Sequence, residues 1–142
     1  MSGIAKYKLV GLDTNIFIYH FEDNLQFTPY TQLIFEGLSQ GKFKAVTSIV
    51  SLIEALSYPS PPQVLKNIEE SFKTIPDLTI RDIDHDLALE AARIRRKYKM
   101  RLPDSIQLAA ALDSKAQAFI TNDERIKGFR ELPIVLLSEI VS

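Results

Sequence analysis

The chain has 142 residues, long enough for one domain with a substantial core, and its lack of cysteine excludes disulfides, thiolate metal sites and cysteine nucleophiles. Its hydrophobic share of 46% and charged share of 25% exclude a disordered or fibrous protein. The formal net charge of −1 gives no bulk attraction for nucleic acid, so any such binding requires a local basic patch.

Strand and helix patterns alternate along the chain. The predicted strands cover residues 9–12, 44–47, 78–83, 118–121 and 133–137. The predicted helices cover residues 15–21, 28–41, 49–57, 60–72, 84–98 and 103–115. Strands that alternate with helices favour a parallel sheet with helices on both faces. We therefore predict a single α/β domain over residues 1–142, built as a three-layer α/β/α sandwich with a mainly parallel central sheet.

Polar residues at the predicted helix starts indicate caps. Thr28, Ser48 and Asp84 each begin a helical pattern, and Ser60 with Gln63 has the spacing of a capping box. The acidic run around Asp84 imitates the start of a calcium-binding EF-hand loop. Its sixth position is not the required glycine, so we interpret this run as a helix cap.

Four acidic residues stand in surroundings that are unusual for a solvated side chain. Asp13 and Asp123 each end an apolar strand, Glu54 lies within an apolar helical stretch, and Asp104 lies in the first turn of an alanine-rich helix. In parallel sheets, ligands bind outside the carboxyl ends of the strands. Two like charges about 4 Å apart repel by roughly 4 kcal/mol at an effective dielectric near 20, so converging carboxylates need a cation or protons. A hard divalent cation fits best.

Each of these acids also has a structural interpretation. Asp13 and Asp104 can cap or stabilise a helix N-terminus, each worth about 1 kcal/mol. Asp123 can end a strand without a further role, and an arginine can pair with Glu54. Residue by residue, these interpretations stay open.

Four motifs, in this order, resemble those of the PIN-domain family, and most of all its VapC toxins of toxin-antitoxin pairs. The motifs are Leu12-Asp13-Thr14-Asn15, Ser51-Leu52-Ile53-Glu54, Leu102-Pro103-Asp104-Ser105 with the helix that follows, and Ile120-Thr121-Asn122-Asp123. The resemblance covers nearly the whole chain. It implies the PIN-like α/β/α fold.

The resemblance also implies an activity and a site. The activity is metal-dependent endoribonuclease cleavage of RNA that leaves a 5′-phosphate and a 3′-hydroxyl. The family's acidic quartet falls on Asp13, Glu54, Asp104 and Asp123 and would hold one or two Mg²⁺ or Mn²⁺ ions. Thr14 and Asn122 match flanking polar positions. A toxin of this kind would bind a small antitoxin that carries an arginine toward the acidic pocket.

The RNA-binding surface and the oligomeric state rest on weaker patterns. Six basic residues crowd residues 93–101, and Arg93, Arg96 and Lys97 avoid the apolar stripe of their helix, so they are candidates for phosphate contacts. The alternative is that they solvate the helix and complement its C-terminus. Aromatic residues near the first two helices exceed what a small core needs and favour a homodimer; they are Phe17, Phe21, Phe27 and Phe35.

Two other functions compete with the ribonuclease. A haloacid-dehalogenase-like phosphotransferase would use Asp13 as its nucleophile, but Asn15 stands where that family has a second aspartate. A non-catalytic PIN-like interaction module would have lost part of the quartet. His20 and His85 lack the spacing of a metal-binding pair and are interpreted as structural or surface groups. No signal-peptide pattern and no apolar run of roughly 18 residues is present, so we expect a cytoplasmic protein with no membrane contact.

Overall fold

The computed structural model describes residues 3–140, in which strands alternate with helices as the sequence predicts. The strands are β1 Leu9–Leu12, β2 Lys44–Ser48, β3 Leu78–Arg81, β4 Ala118–Thr121 and β5 Ile134–Leu136. The helices are α1 Thr14–Glu22, α2 Thr28–Ser39, α3 Ile49–Ala55, α4 Pro62–Thr74, α5 His85–Tyr98 and α6 Leu102–Asp113. Short 3₁₀ turns cover Gly3–Lys6, Glu124–Gly128 and Leu137–Glu139.

The five strands form one parallel sheet in the order β3-β2-β1-β4-β5. Strand β1 is central and pairs with β2 on one side and β4 on the other, for example Gly11 with Val46 and Leu12 with Ile120. The chain therefore reverses its strand order at β1, and ligand crevices of open α/β sheets form at the carboxyl edge of such a point. The parallel α/β prediction is confirmed.

Alternating side chains of the sheet feed two separate cores. Val10 and Leu12 face the core shared with α1, α2 and α4, where Phe17 is fully buried. Val46 and Phe119 face the core shared with α5 and α6. This period of two places helices on both faces of the sheet, which confirms the three-layer arrangement.

Gly11 lets α6 pack directly on the central strand. A Cβ atom at Gly11 would lie 2.7 Å from the Ala111 Cβ and 2.8 Å from a ring carbon of Phe119. The small residues of α6 and the glycine of β1 therefore meet at close range. This contact fixes the position of α6, whose first turn carries Asp104.

Two of the four predicted caps are confirmed. The Ser48 side chain accepts a hydrogen bond from the Val50 amide at the start of α3. The Asp84 side chain accepts one from the Leu87 amide, 2.8 Å away, at the start of α5. Asp84 is a helix cap.

The other two predicted caps are wrong. Thr28 is the first residue of α2, and its hydroxyl donates to the Asn24 carbonyl instead of capping the helix. Helix α4 begins at Pro62, which needs no amide partner at the first helical position, so Ser60 and Gln63 form no capping box. Helix α3 and strand β3 also end earlier than predicted, at Ala55 and Arg81, and residues 56–61 and 82–84 lie outside regular structure.

The aromatic residues near α1 and α2 are used inside the fold. Phe17 packs against Phe35 and Phe72, with ring centroids 5.8 and 4.9 Å apart, and Phe21 contacts Phe72 at 5.0 Å. The His20 ring stacks on Phe35 at 4.1 Å. This core packing accounts for the aromatic surplus on which the homodimer prediction rested, and the homodimer stays a prediction. Within residues 3–140, no helix combines the length and apolar character that crossing a bilayer requires.

Candidate active site

Asp13 lies where the central strand β1 ends and α1 begins. Its Oδ1 accepts the Thr14 amide at 2.8 Å, which caps α1, and its Oδ2 accepts the Thr121 hydroxyl at 2.7 Å from the end of the neighbouring strand. The side chain is buried. Both oxygens are therefore held in fixed positions at the carboxyl edge of the sheet.

Burial raises the pKa of Asp13 from 3.8 to about 6. The Thr121 hydroxyl and the Thr14 amide oppose this shift by stabilising the charged form, whereas the carboxylates of Asp104 and Glu54 raise the pKa further. Asp13 therefore carries a negative charge that is poorly compensated at neutral pH. A cation at this position would relieve the repulsion among these three acids.

Glu54 reaches the same region from α3. Its Oε1 accepts the Thr14 hydroxyl at 2.6 Å, and the residue is half-buried. The partner of this carboxylate is thus a hydroxyl adjacent to Asp13, and not the arginine that the sequence left open. Thr14 holds Glu54 through its side chain and Asp13 through its amide.

A buried glutamine on α6 supports this arrangement. Gln107, which is 2% exposed, donates from Nε2 to the Thr14 hydroxyl at 2.9 Å and to the Ser51 hydroxyl at 2.7 Å. Its Oε1 accepts the Ser48 hydroxyl at 2.6 Å and the Ser48 amide at 3.1 Å. One amide group therefore connects α6 to β2, α3 and α1 beneath the carboxylates. Gln107 was not among the predicted site residues, although an amide within an alanine-rich helix is a signal of a buried polar network.

Asp104 and Asp123 are bound to arginines. The Arg101 Nε lies 2.9 Å from one Asp104 oxygen, and its Nη2 lies 3.3 Å from the other and 3.7 Å from Asp123. The Arg125 side chain donates to both Asp123 oxygens at 2.7 to 3.2 Å. The Arg125 guanidinium lowers the pKa of Asp123. Neither arginine was among the predicted site residues. The signal that could have found them is their spacing, since Arg101 lies three residues before Asp104 and Arg125 lies two residues after Asp123.

The donor atoms of the quartet suit a hard divalent cation, because they are all carboxylate oxygens. Within residues 3–140, however, no three histidine, cysteine, aspartate or glutamate side chains lie close enough together to hold a metal ion as they stand. Asp13 and Asp104 are buried, and Asp104 is turned toward Arg101. The residue types are those that bind Mg²⁺ or Mn²⁺, and the ion pair with Arg101 occupies Asp104 in this arrangement.

The supporting polar residues have different partners. Thr14 contacts Glu54, as described above. The Asn122 side chain donates from Nδ2 to the Tyr19 hydroxyl at 3.0 Å, and its backbone amide donates to the Asn15 Oδ1 at 3.3 Å. Asn122 thus fixes the turn between β4 and Asp123, and it makes no hydrogen bond to a quartet carboxylate among those observed.

The three basic residues predicted to contact RNA lie on α5. Two of them form ion pairs with glutamates outside the quartet. Arg93 binds both Glu90 and Glu131, with Nη2 2.8 Å from Glu131, and Lys97 lies 3.6 Å from Glu131. The Arg93 guanidinium lowers the pKa of Glu131 to about 2. Arg96 lies on the exposed face of the helix. The cations that contact the quartet are Arg101 and Arg125 instead.

A comparison with known protein families matches residues 10–132 to the PIN domain. The chain belongs to the PIN domain family. The matched residues include all four acids of the quartet and most of the sheet.

Solved structures share the fold of this PIN domain. One is VapBC2 from Rickettsia felis bound to a DNA fragment from its promoter, with a TM-score of 0.71, 17% identity, and coverage of 90% of this chain and 98% of that one. Another is a toxin-antitoxin complex from Klebsiella pneumoniae, with a TM-score of 0.66, 24% identity, and coverage of 94% and 99%. A search of curated proteins finds no significant match.

Proposed function

We propose that this PIN domain is a metal-dependent endoribonuclease and the toxin of a toxin-antitoxin pair. The proposal rests above all on Asp13, a buried carboxylate at the carboxyl edge of the central strand whose pKa the neighbouring acids Asp104 and Glu54 raise further. Glu54 shares its hydrogen-bond partner Thr14 with Asp13, and Asp104 lies close enough to raise the pKa of Asp13 as well. A buried carboxylate with a raised pKa beside further acids is typical of catalytic sites.

Asp13, Asp104 and Asp123 would hold one or two Mg²⁺ or Mn²⁺ ions, and Glu54 would complete the site. When bound, such an ion supplies positive charge for the phosphate and lowers the pKa of water. Asp13 is prepared for this role because Thr14 and Thr121 fix both of its oxygens. Hydrolysis would leave a 5′-phosphate and a 3′-hydroxyl on the RNA.

Glu54 is placed to orient the attacking water or accept its proton. The Thr14 hydroxyl holds one of its oxygens, and Gln107 holds Thr14 in turn. The second oxygen of Glu54 makes no hydrogen bond among those observed for the described residues. A half-buried carboxylate with one anchored oxygen keeps its orientation while the other oxygen acts.

An antitoxin partner is supported by the toxin-antitoxin complexes that share this fold. The surface of this chain also offers a pocket of about 410 Å³ between α1, the end of α3 and α4. Its walls include Ile18, Phe21, Tyr58 and Val64, and an amphipathic helix binds to apolar grooves of this kind. We propose that the antitoxin places a helix here and an arginine toward the quartet. Copurification of the neighbouring gene's product tests whether the chain has an antitoxin partner. Harmless expression of the chain alone would contradict its proposed role as a toxin.

The geometry weighs against the phosphotransferase alternative. Asn15 contacts the Asn122 amide and supplies no second carboxylate. The absence of an aspartyl phosphate after incubation with phosphoryl donors would agree with this interpretation.

The experiment that tests the proposed activity is cleavage of mixed structured and single-stranded RNAs with Mg²⁺, Mn²⁺ or EDTA. Asp104→Asn should abolish metal-dependent cleavage. Asp113→Asn is the matched control, because Asp113 ends the same helix and pairs with Arg81 at 2.6 Å, outside the quartet. Equal cleavage by the native protein and Asp104→Asn would contradict the proposal.

A further inference from the structure

Two exposed arginines form ion pairs with two carboxylates of the quartet, those of Asp104 and Asp123. Arg101 contacts Asp104 at 2.9 Å and Asp123 at 3.7 Å, and Arg125 contacts Asp123 at 2.7 Å. We propose that Arg101 and Arg125 are the phosphate-binding residues of this site: metal binding to the carboxylates releases them, and the freed guanidinium groups bind the phosphates of the RNA. This inference rests on the proposed function.

Charge balance supports the exchange. The four acids of the quartet carry up to four negative charges, and two guanidinium groups compensate part of that charge through Asp104 and Asp123. A divalent cation would bring two positive charges to the same oxygens, so it competes with the arginines for them. The side chains of Arg101 and Arg125 are 59% and 68% exposed, so each guanidinium can leave its carboxylate and be hydrated.

The released arginines would remain beside the reaction site. Arg101, Arg125 and Asp104 line one pocket of about 180 Å³, together with Lys99 and Tyr98. The pocket thus presents three cations and an aromatic ring next to a quartet carboxylate. Guanidinium groups bind phosphate oxygens in a fork, which suits a phosphodiester that enters the site.

This pocket is a local basic patch directly beside the quartet. A chain with a net charge of −1 needs a local basic patch to bind RNA. On the adjacent helix α5, Glu131 engages both Arg93 and Lys97. Those cations are neutralised by an acid outside the quartet, and metal binding at the quartet would not release them. For Arg101 and Arg125, the acid that neutralises the cation is itself a proposed metal ligand.

The competing explanation is that both arginines are permanent counterions that keep the carboxylates in place. The two explanations predict opposite effects on metal binding. If the arginines compete with the metal, their removal strengthens Mn²⁺ binding and weakens RNA binding. If they support the carboxylates, their removal weakens Mn²⁺ binding.

The experiment measures both affinities for Arg101→Gln, Arg125→Gln and the double variant. Calorimetric titration with Mn²⁺ in the absence of RNA should give a Kd lower by about threefold to tenfold in each single variant. Fluorescence anisotropy of a labelled mixed-sequence single-stranded RNA, with Ca²⁺ in place of Mn²⁺, should give a Kd raised by about fivefold or more. The slope of log K against log salt should fall in magnitude by about 0.7 for each arginine removed.

Lys127→Gln is the matched control. Lys127 lies on the same 3₁₀ turn as Arg125, is similarly exposed, and pairs with Glu139 at 3.5 Å. It should leave Mn²⁺ affinity unchanged and lower RNA affinity much less than the arginine variants do. Arg101→Lys keeps the charge without the fork and should have an intermediate RNA affinity.

Three outcomes overturn the inference. Mn²⁺ and RNA affinities equal to those of the native protein would do so, as would weaker Mn²⁺ binding in the arginine variants. In both cases a native protein that still cleaves RNA with metal leaves the nuclease proposal standing. A native protein that binds neither Mn²⁺ nor RNA overturns the inference and the proposed function together.

Discussion

Asp13→Asn should stabilise the metal-free protein at neutral pH while it removes metal binding. The pKa of Asp13 rises from 3.8 to about 6 on folding, mainly through burial. Because the folded-state pKa is above the unfolded value, the native state binds the proton more tightly, and the free energy of unfolding falls as pH rises from about 4 to about 6. A shift of about two units corresponds to about 3 kcal/mol of lost stability above that window.

Asparagine keeps the size of Asp13 and can still accept the Thr14 amide, so the cap on α1 is retained. Its amide nitrogen cannot accept the Thr121 hydroxyl, which is the bond that Asp13 makes at 2.7 Å. Loss of that bond offsets about 1 kcal/mol or somewhat more of the gain. The net expectation is a variant that is about 1 to 2 kcal/mol more stable than the native protein at about pH 8 in EDTA.

Urea unfolding followed by circular dichroism between about pH 4 and pH 8 measures this effect. Near the acid end Asp13→Asn should be less stable than the native protein by about 1 kcal/mol or somewhat more, and the two curves should cross as pH rises through the window. Added Mn²⁺ should stabilise the native protein alone. A variant that is less stable than the native protein at about pH 8, or that keeps the native pH dependence, would refute this account of Asp13.

Substitutions at three further positions test the residues that support the site. Gln107→Ala should lower the free energy of unfolding by about 2–4 kcal/mol in urea titrations, because it opens a cavity and leaves Thr14 without its amide donor; Gln107→Glu, of equal size, separates hydrogen bonding from volume. Gly11→Ala should lower the midpoint of thermal unfolding, because its Cβ would lie 2.7 Å from Ala111; an unchanged midpoint would contradict this close packing. Glu54→Gln should reduce RNA cleavage about 100-fold or more while calorimetry still detects Mn²⁺ binding; native cleavage rates would exclude the proposed role.

The sequence predicts those parts of the fold that depend on neighbours in the chain. The apolar run before Asp13 and the one before Asp123 identify two strands that deliver acids, and Asp84 caps α5 as its spacing indicates. The start of α4 could not be predicted from Ser60 and Gln63, because the prolines in between satisfy the first turn by another route. A local pattern predicts a helix start correctly when no neighbouring residue offers a second way to begin the helix.

The partners of the site residues depend on contacts between distant segments. Glu54 is recognisable as an acid in an apolar helix, but Thr14, its hydroxyl donor, lies 40 positions away along the chain. In the sequence, Gln107 looks like an ordinary helix residue, because its hydrogen-bond partners come from three elements in other parts of the chain. Arg101 and Arg125 become neighbours of the same carboxylate because α6 begins, and β4 ends, at the same edge of the sheet.

Crystals grown with Mn²⁺, with diffraction measured at the manganese absorption edge, would locate the proposed metal site. We expect an anomalous peak among the carboxylates of Asp13, Asp104 and Asp123, with the Arg101 side chain withdrawn from Asp104. A map that shows no manganese at this edge of the sheet, with Arg101 still bound to Asp104 at saturating Mn²⁺, would contradict it.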